Sequence, residues 1–455
     1  MKTKTKNLVF LLIIGLVFPF LLNFNFNLNS EDNTSSINPK SSGDCSGSIL
    51  QASIYIDGFA TGMGAHNWTW AESQSWCSGA GTWSNPYIIE SLTIDGLGLT
   101  IGIQIRNSNA FFIIQGCTIL NCVIGIYLNN VNNSRLIENN CSLNENAIMV
   151  LNSNNNTISG NTVNGGNSPM GGGINIHTNC RYNNITGNTV NNHVNSYGIQ
   201  LYDRCNFNKI LGNSIKNNNW GIILSIYIES LDHNDFTENI IYHNTIGIYL
   251  DSGCINNSFY KNFFLQNGKH TVDDGTDNTW NSTTLGNYWD NHTGPDANSD
   301  GIVDNPYAYI GGSAGSIDYL PMAEDGAPNI TIITPSEGDS FASVAPSFEI
   351  EVVDIYVWEM WYTIDGGLHN YTFTENEMIN QSAWDALPEG SVAITFFAID
   401  IVGNEASEEV TVIKSIPAGG LDPGIIITII IVSVVGGVAV ISVVYIFMKK
   451  RATLA

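Results

Sequence analysis

The chain has 455 residues, with 16 Lys and Arg against 41 Asp and Glu, a formal net charge of -25. That balance excludes a nucleic-acid binder, which needs a basic surface for phosphates. The 43% of hydrophobic residues excludes a disordered acidic tail. Only 13% of residues are charged, so most of the polarity is uncharged, and Asn is conspicuous throughout.

Met1–Asn7 carries lysines and Leu8–Leu22 is an apolar run of signal-peptide length. No clear A-x-A site follows, so residues 1–29 read as a signal peptide or an uncleaved anchor. The 8 cysteines are an even number, which permits disulfides outside the cell. Cys45 and Cys77 flank the first folded segment and are the first pair to expect bridged. Residues 45–100 then read as a cap. N-x-S/T sequons, for example at Asn67, Asn184, Asn281 and Asn370, agree with an outside location. An Asn-rich chain also makes many by chance.

A repeat fills the middle, residues 101–270. The phrase G-I-x-L/I recurs at Gly102, Gly125, Ala147 (as AIMV), Gly173, Gly198, Gly221 and Gly247. A second phrase, as in ISGNTV, ITGNTV, ILGNSI and FTENII, precedes each return. Apolar residues two apart put one face of each short strand inward. Such strands with Asn/Gly corners close no core alone, but stacked coils share one. The expectation is a parallel β-helix of about seven coils, roughly 34 Å long at about 4.8 Å per coil.

Asn139, Asn161, Asn188, Asn213, Asn239 and Asn262 hold one place in successive repeats, with Cys117 there in the first. A stacked Asn tolerates a left-handed corner and passes hydrogen bonds between coils, so a structural ladder is preferred to a polar binding track. Cys180, Cys205 and Cys254 share another offset, which suits stacked buried thiols as well as disulfides.

GPDANSDGIVDNPY, residues 294–307, begins like a calcium loop: Asp296, Asn298, Asp300, the Ile302 carbonyl and Asp304. Tyr307 stands where an EF-hand needs a bidentate Glu, a place for Asp290, Asp318 or water to fill. Structural calcium is the expected cofactor, capping the end of the solenoid; D-x-N-x-D-G is also good turn chemistry without metal. Residues 327–416 alternate in seven or so short strands, as NITIITP, SFEIEVVD and VAITFFAID, which predicts an immunoglobulin-like sandwich without the Cys…Trp…Cys framework. Ile425–Met448 is uncharged and long enough to span hydrocarbon, and Lys449, Lys450 and Arg451 follow it. The expectation is a single-pass membrane protein with its ectodomain outside and residues 449–455 in the cytoplasm.

Residues 285–322, LGNYWDNHTGPDANSDGIVDNPYAYI with SIDYLPM after it, resemble the end of the NosD-like right-handed parallel β-helix family. The shared elements are GNYW, TGPDA-x-x-DGI-x-D-x-PY and DYLPM, and the resemblance spans roughly residues 85–322. Residues 67–96 resemble the opening segment of archaeal surface β-helix proteins, and AIDIVGN, residues 398–404, resembles a late-strand motif of prokaryotic surface domains. The resemblance implies a pectate-lyase-like solenoid, with residues 271–323 as its C-terminal segment, and carbohydrate binding or periplasmic copper binding. Together these readings give an all-β chain: a right-handed parallel β-helix, an Ig-like sandwich and one transmembrane helix.

Chemistry is sparse. Glycosidases need two nearby carboxylates, and lyases on β-helices use Asp clusters with a Lys or Arg base. His177, Tyr202, Asp203, Arg204 and Asp251 follow GI phrases; His177, Tyr202 and Asp251 should line one edge, with Asp203 and Arg204 facing a groove. The alternative is a solvated corner with an Asp203–Arg204 contact. Copper is not expected, because Met149, Met170 and His177 are the only loose His/Met grouping. Non-catalytic binding of a polysaccharide or a surface protein is favoured over a surface polysaccharide lyase or hydrolase, and over NosD-like copper-site assembly.

Overall fold

The computed structural model describes residues 49–165, 171–324, 326–354 and 357–415. The N-terminal apolar run, Cys45, Met170 and the apolar run 425–448 lie outside them. Among the described residues no helix is long and apolar enough to cross a membrane.

Residues 49–323 wind as a parallel β-helix with three faces. The first sheet has nine strands, from Ile54–Asp57 to Lys269–Asp273, every neighbouring pair parallel. The second sheet also has nine, from Cys77–Ser78 to Ser258–Tyr260, parallel except for its outermost pair. The third is a three-stranded and a six-stranded piece joined by Asn140, which bridges Thr118 and Thr162.

This is about eight turns, more than the seven GI phrases predict. The two extra strands lack the phrase: Ile54–Asp57 reads IYID, and Lys269–Asp273 reads KHTVD with His270 at the Gly place. The solenoid therefore begins well before residue 101. The phrase has a steric cause. A side chain on Gly125, Gly198 or Gly221 would put a Cβ 2.5–2.7 Å from a carbonyl oxygen of the next coil. The apolar positions after it stack in register, as Ile103 on Ile126 and Ile148, or Leu201 on Leu224 and Leu250, all fully buried. Each such side chain contributes about 1.5–3 kcal/mol on leaving water, and the column runs the length of the helix.

The Asn column is a buried ladder. Asn188 Oδ1 accepts from the backbone N–H of Asn161 at 2.9 Å and from its Nδ2 at 2.9 Å, and Asn188 Nδ2 donates to the Ile158 carbonyl at 2.9 Å. Asn213 does the same for Asn188 and Ile185. Two further corners carry ladders of the same kind. Asn156, Asn183, Asn208, Asn234, Asn257 and Asn278 form one. His193, Asn218, Asn244 and Asn267 form the other.

A ladder of this kind needs terminators, since its last amide has no next coil. At the front, the helix Trp68–Glu72, capped by Asn67, covers the open end with Trp68 and Ala71. Trp68 Nε1 donates to Ser108 Oγ at 2.8 Å. At the back, two fully buried carboxylates stand in for Asn. Asp318 Oδ2 accepts from the Asn287 backbone N–H at 2.8 Å and from Trp289 Nε1 at 2.9 Å, and its Oδ1 from Leu320 N–H at 3.0 Å. Asp273 takes Asn278 Nδ2 at 3.0 Å, Trp280 Nε1 at 2.9 Å and Ser316 Oγ at 2.7 Å.

The cysteines pack as thiols. Cys77, Cys117, Cys122, Cys141, Cys180, Cys205 and Cys254 are all buried, and among the described residues none is bridged to another. The Sγ atoms of Cys180, Cys205 and Cys254 point at the carbonyls of Val150, Ile176 and Leu224 at 3.4, 3.4 and 3.5 Å. The stacked-thiol reading holds for these three, and the expected bridge at Cys77 has no described partner.

Residues 327–415 form a second β unit with its own core. Seven strands make sheets of two and five around Phe348, Tyr362, Trp384, Ile394, Phe396 and Val412.

Candidate functional site

The residues singled out for catalysis gather where the first sheet turns into the second. His177, Tyr202 and Ser225 are register partners on adjacent strands. Asp251 follows Leu250, the partner of Leu224, so it falls in the next coil at the same place. The edge expected from repeat offset therefore exists, with Ser225 between Tyr202 and Asp251. The His177 ring stacks on Tyr202 at 4.5 Å, and both are buried. Burial pulls the His177 pKa down to about 4 against the pull of Asp203, so the ring is neutral at pH 7. Burial, then Asp203 and Tyr227, push the Tyr202 phenol up to about 12.

Asp203 does not face an open groove. It is 2% exposed, and its Oδ1 accepts three backbone N–H groups, from Tyr227, Ile228 and Glu229, at 3.3, 2.7 and 3.0 Å. Its Oδ2 pairs with Arg204 Nε at 3.1 Å. Burial alone would raise its pKa; the three N–H donors and Arg204 outweigh it and hold the carboxyl below its ordinary value. Asp203 is thus a clamp on the loop 226–230. Arg204 also reaches Glu229 at 4.0 Å. A glycosidase pair needs two carboxylates open to a sugar; here one of the two is consumed by the fold.

The calcium loop closes on its own hydrogen bonds. Asp296 accepts from the N–H of Asp300 and Gly301 at 3.1 and 2.8 Å. Asp300 accepts from Ile302 N–H at 3.0 Å and from Asn298 Nδ2 at 2.8 Å, and Asp304 from Ala297 N–H at 3.2 Å. The two carboxylates expected to complete the set are engaged elsewhere. Asp290 binds His270 Nε2 at 2.9 Å and the Gln266 N–H; burial raises its pKa, but these partners bring it below the ordinary value. Asp318 terminates the Asn ladder. Among the described residues no three His, Cys, Asp or Glu side chains gather as a metal requires. Met149 and His177 lie on neighbouring strands two places out of register, and the His177 ring is committed to Tyr202 and to Thr178 Oγ1 at 2.7 Å.

Two features went unnoticed in the sequence. One is a cleft of about 390 Å³ at the back of the solenoid, lined by Lys269, His270, Thr271, Tyr307 and Tyr309. The other lies on the same corner as Asp203. Tyr182, Phe207 and His233 stack across three coils with centroids 5.3 and 5.1 Å apart. Tyr182 is 57% exposed and Phe207 40%. They occupy one column, directly before Asn183, Asn208 and Asn234, where Asn155 and Asn256 stand in flanking coils. Comparing that column rather than the Asn column would have revealed them.

The sequence model of the family described as periplasmic copper-binding protein (NosD) matches residues 84–294. No curated protein matches the chain. Among solved structures, the chain is similar to the periplasmic alginate epimerase AlgG at 14% identity, covering 52% of this chain and 72% of that one, with a TM-score of 0.24. It is similar to ORF18 of Geobacillus virus E2 at 11% identity, covering 74% and 60%, with a TM-score of 0.34. A third is the tailspike protein gp49 from Acinetobacter baumannii bacteriophage Fri1, a capsular polysaccharide depolymerase, at 11% identity, covering 76% and 64%, with a TM-score of 0.32. Family match and stacked coils agree: residues 84–294, most of the solenoid, are similar to the NosD-like family of parallel β-helices.

Proposed function

We propose that this chain is a membrane-anchored cell-surface β-helix that binds glycans without cleaving them. The observation that carries the reading is Asp203, whose carboxylate is spent on three backbone N–H groups and Arg204. With it removed from chemistry, the corner keeps a neutral His177, a protonated Tyr202 and exposed side chains suited to contact. In this reading the seven-stranded unit is an Ig-like spacer between the solenoid and a membrane helix at 425–448, and the positive flank 449–451 fixes the C-terminus inside. The net charge of -25 suits a crowded surface where like molecules repel.

A glycan-binding screen of the full chain, run beside an assay for released reducing ends, tests this. Binding without release is the expected result. Release that survives Asp203→Ala would place catalysis elsewhere on the helix, and release abolished by it would restore the enzyme reading. Protease shaving of intact cells should remove the solenoid; a solenoid left whole while a C-terminal tag is digested would reverse the topology.

A further inference from the structure

The corner that carries Asp203 places aromatic side chains where its turn is served by Asn in flanking coils. Tyr182, Phe207 and His233 all have left-handed backbones, at φ 58, 59 and 54. Bulky side chains rarely adopt that region, whereas Asn does so readily. Asn155 and Asn256 hold the same column at φ 55 in flanking coils, so Asn would serve the turn. Three successive coils instead place aromatic rings there, stacked and exposed. The neighbouring loop adds Tyr227 and Ile228, 64% and 65% exposed, and Asp203 is the residue that fixes this loop. Asp203 and Arg204 are themselves left-handed, at φ 46 and 60. Left-handed residues recur at the other corners, Glu138, Leu143 and Lys261 among them, but here three in successive coils carry rings that stack and lie exposed.

We propose that Tyr182, Phe207 and His233, with Tyr227 and Ile228, form a ridge that docks a neutral glycan chain, and that Asp203 is its positioning residue. This rests on the binding reading above and names its surface and ligand class. Size argues for a glycan. A stable protein pair buries about 800 Å² per partner, far more than a few rings supply, while sugars combine apolar ring faces with hydroxyls. Stacked rings flanked by planar amides and charged groups meet both. Charge argues for a neutral chain. Arg181 and Lys209 on this corner are offset by Asp232 and Asp235, and Arg204 is neutralised by Asp203 and Glu229. An acidic polysaccharide finds no net attraction there.

The test uses the full chain, a panel of neutral gluco-, manno- and galacto-hexasaccharides, and an oligogalacturonate. Tyr182→Asn and Phe207→Asn install the residue that flanking coils already carry, so both variants should fold and melt no lower than the parent. The parent should bind a neutral hexasaccharide, and each variant should bind it about tenfold more weakly, as for a central aromatic contact. Salt raised from about 50 to about 500 mM should leave the affinity flat. Asp203→Ala should weaken binding and Asp203→Asn, which keeps an oxygen for the three N–H groups, should restore it. Unchanged affinity in both ring variants would overturn the ridge and leave glycan binding standing. Preference for the oligogalacturonate with steep salt dependence would overturn the ligand class. No binding to any of the panel would overturn the ridge and the binding reading together.

Discussion

Two corners of the same helix use one turn, a left-handed residue followed by a buried ladder Asn, and differ in what the left-handed residue is. The corner of Asn161, Asn188 and Asn213 buries its repeated side chain and passes three hydrogen bonds from coil to coil. The corner of Asn183, Asn208 and Asn234 passes the same kind of bonds, but its left-handed residues are Tyr182, Phe207 and His233, where the first corner has Gly160, Gly187 and Gly212. The first repeats one residue because every coil needs the same donor and acceptor. The second keeps those rungs too and varies only the exposed place before them, from Asn155 and Asn256 to rings over three coils, because an outward side chain is under no such demand. Uniformity along a solenoid marks structure, and a local break in it marks a surface to test.

The largest effect should come from the ladder. Replacing Asn188 or Asn213 with Leu removes the acceptor of the preceding rung's backbone N–H and the donor to one carbonyl, each costing about 1–3 kcal/mol when buried, and one of the bonds of the preceding amide. A loss of about 4 kcal/mol is expected for either by denaturant unfolding. A loss below that of an ordinary surface substitution would move the ladder corner into the same class as the ridge.

Acid should come next, and it acts beside the exposed corner and in the third ladder. His177 lies beside the exposed corner and His193 in a ladder; burial lowers each pKa to about 4 from an ordinary 6.5. The unfolded chain then binds more protons than the folded one between those values. Stability is therefore present above pH 6.5 and is lost as pH falls towards 4, by about 3 kcal/mol per residue. Unfolding curves from pH 7 to 4 measure it. His193→Gln should flatten the dependence by roughly half, and an unaltered slope would mean that His193 is protonated when folded.

The core was legible in the sequence because its period is strict. Every GI phrase is a first-sheet strand, since Ile and Leu two apart have only one way to face inward. Ends and corners were harder. Lys269–Asp273 lacks the Gly, because the last strand of its sheet has no following strand to crowd a side chain, while Ile54–Asp57 has Ser53 at that place. Asp203 looked like an outward carboxylate because it follows a strand; that its oxygens would meet the N–H groups of Tyr227–Glu229, a coil away, depends on an insertion whose path a sequence does not show. Asp318 also bonds far along the chain: the N–H it accepts, from Asn287, is 31 positions earlier.

Asp318→Asn sharpens the point that a ladder must end on an acceptor. The amide would turn an NH₂ towards donors of Asn287, Trp289 or Leu320, at a cost of about 2 kcal/mol. Frayed amide protection at Asn287 by hydrogen exchange is the expected sign. Full protection would show that the last rung closes without it. On the other corner, Tyr182→Asn should stabilise the fold by about 1 kcal/mol, the strain released less the stacking lost. Destabilisation by that amount would mean the rings hold the corner together and cost it nothing.

The smallest effect expected is that of a chelator. The loop of Asp296, Asn298, Asp300 and Asp304 has calcium-like spacing, and three carboxylates brought together by a bound ion would repel once it left. In the structure, however, each of those carboxylates already accepts a backbone N–H of the loop, and the load at the end of the solenoid falls on Asp273 and Asp318. EDTA should therefore shift the solenoid's unfolding by less than about 1 kcal/mol, well under the effect of Asp318→Asn, since an ion stabilises only as far as its occupancy and affinity allow. A larger drop, restored by Ca²⁺ better than by Mg²⁺ and abolished in Asp300→Asn with Asp304→Asn, would give the cap to calcium. The two buried carboxylates would then be partners of a metal-ordered loop rather than substitutes for it.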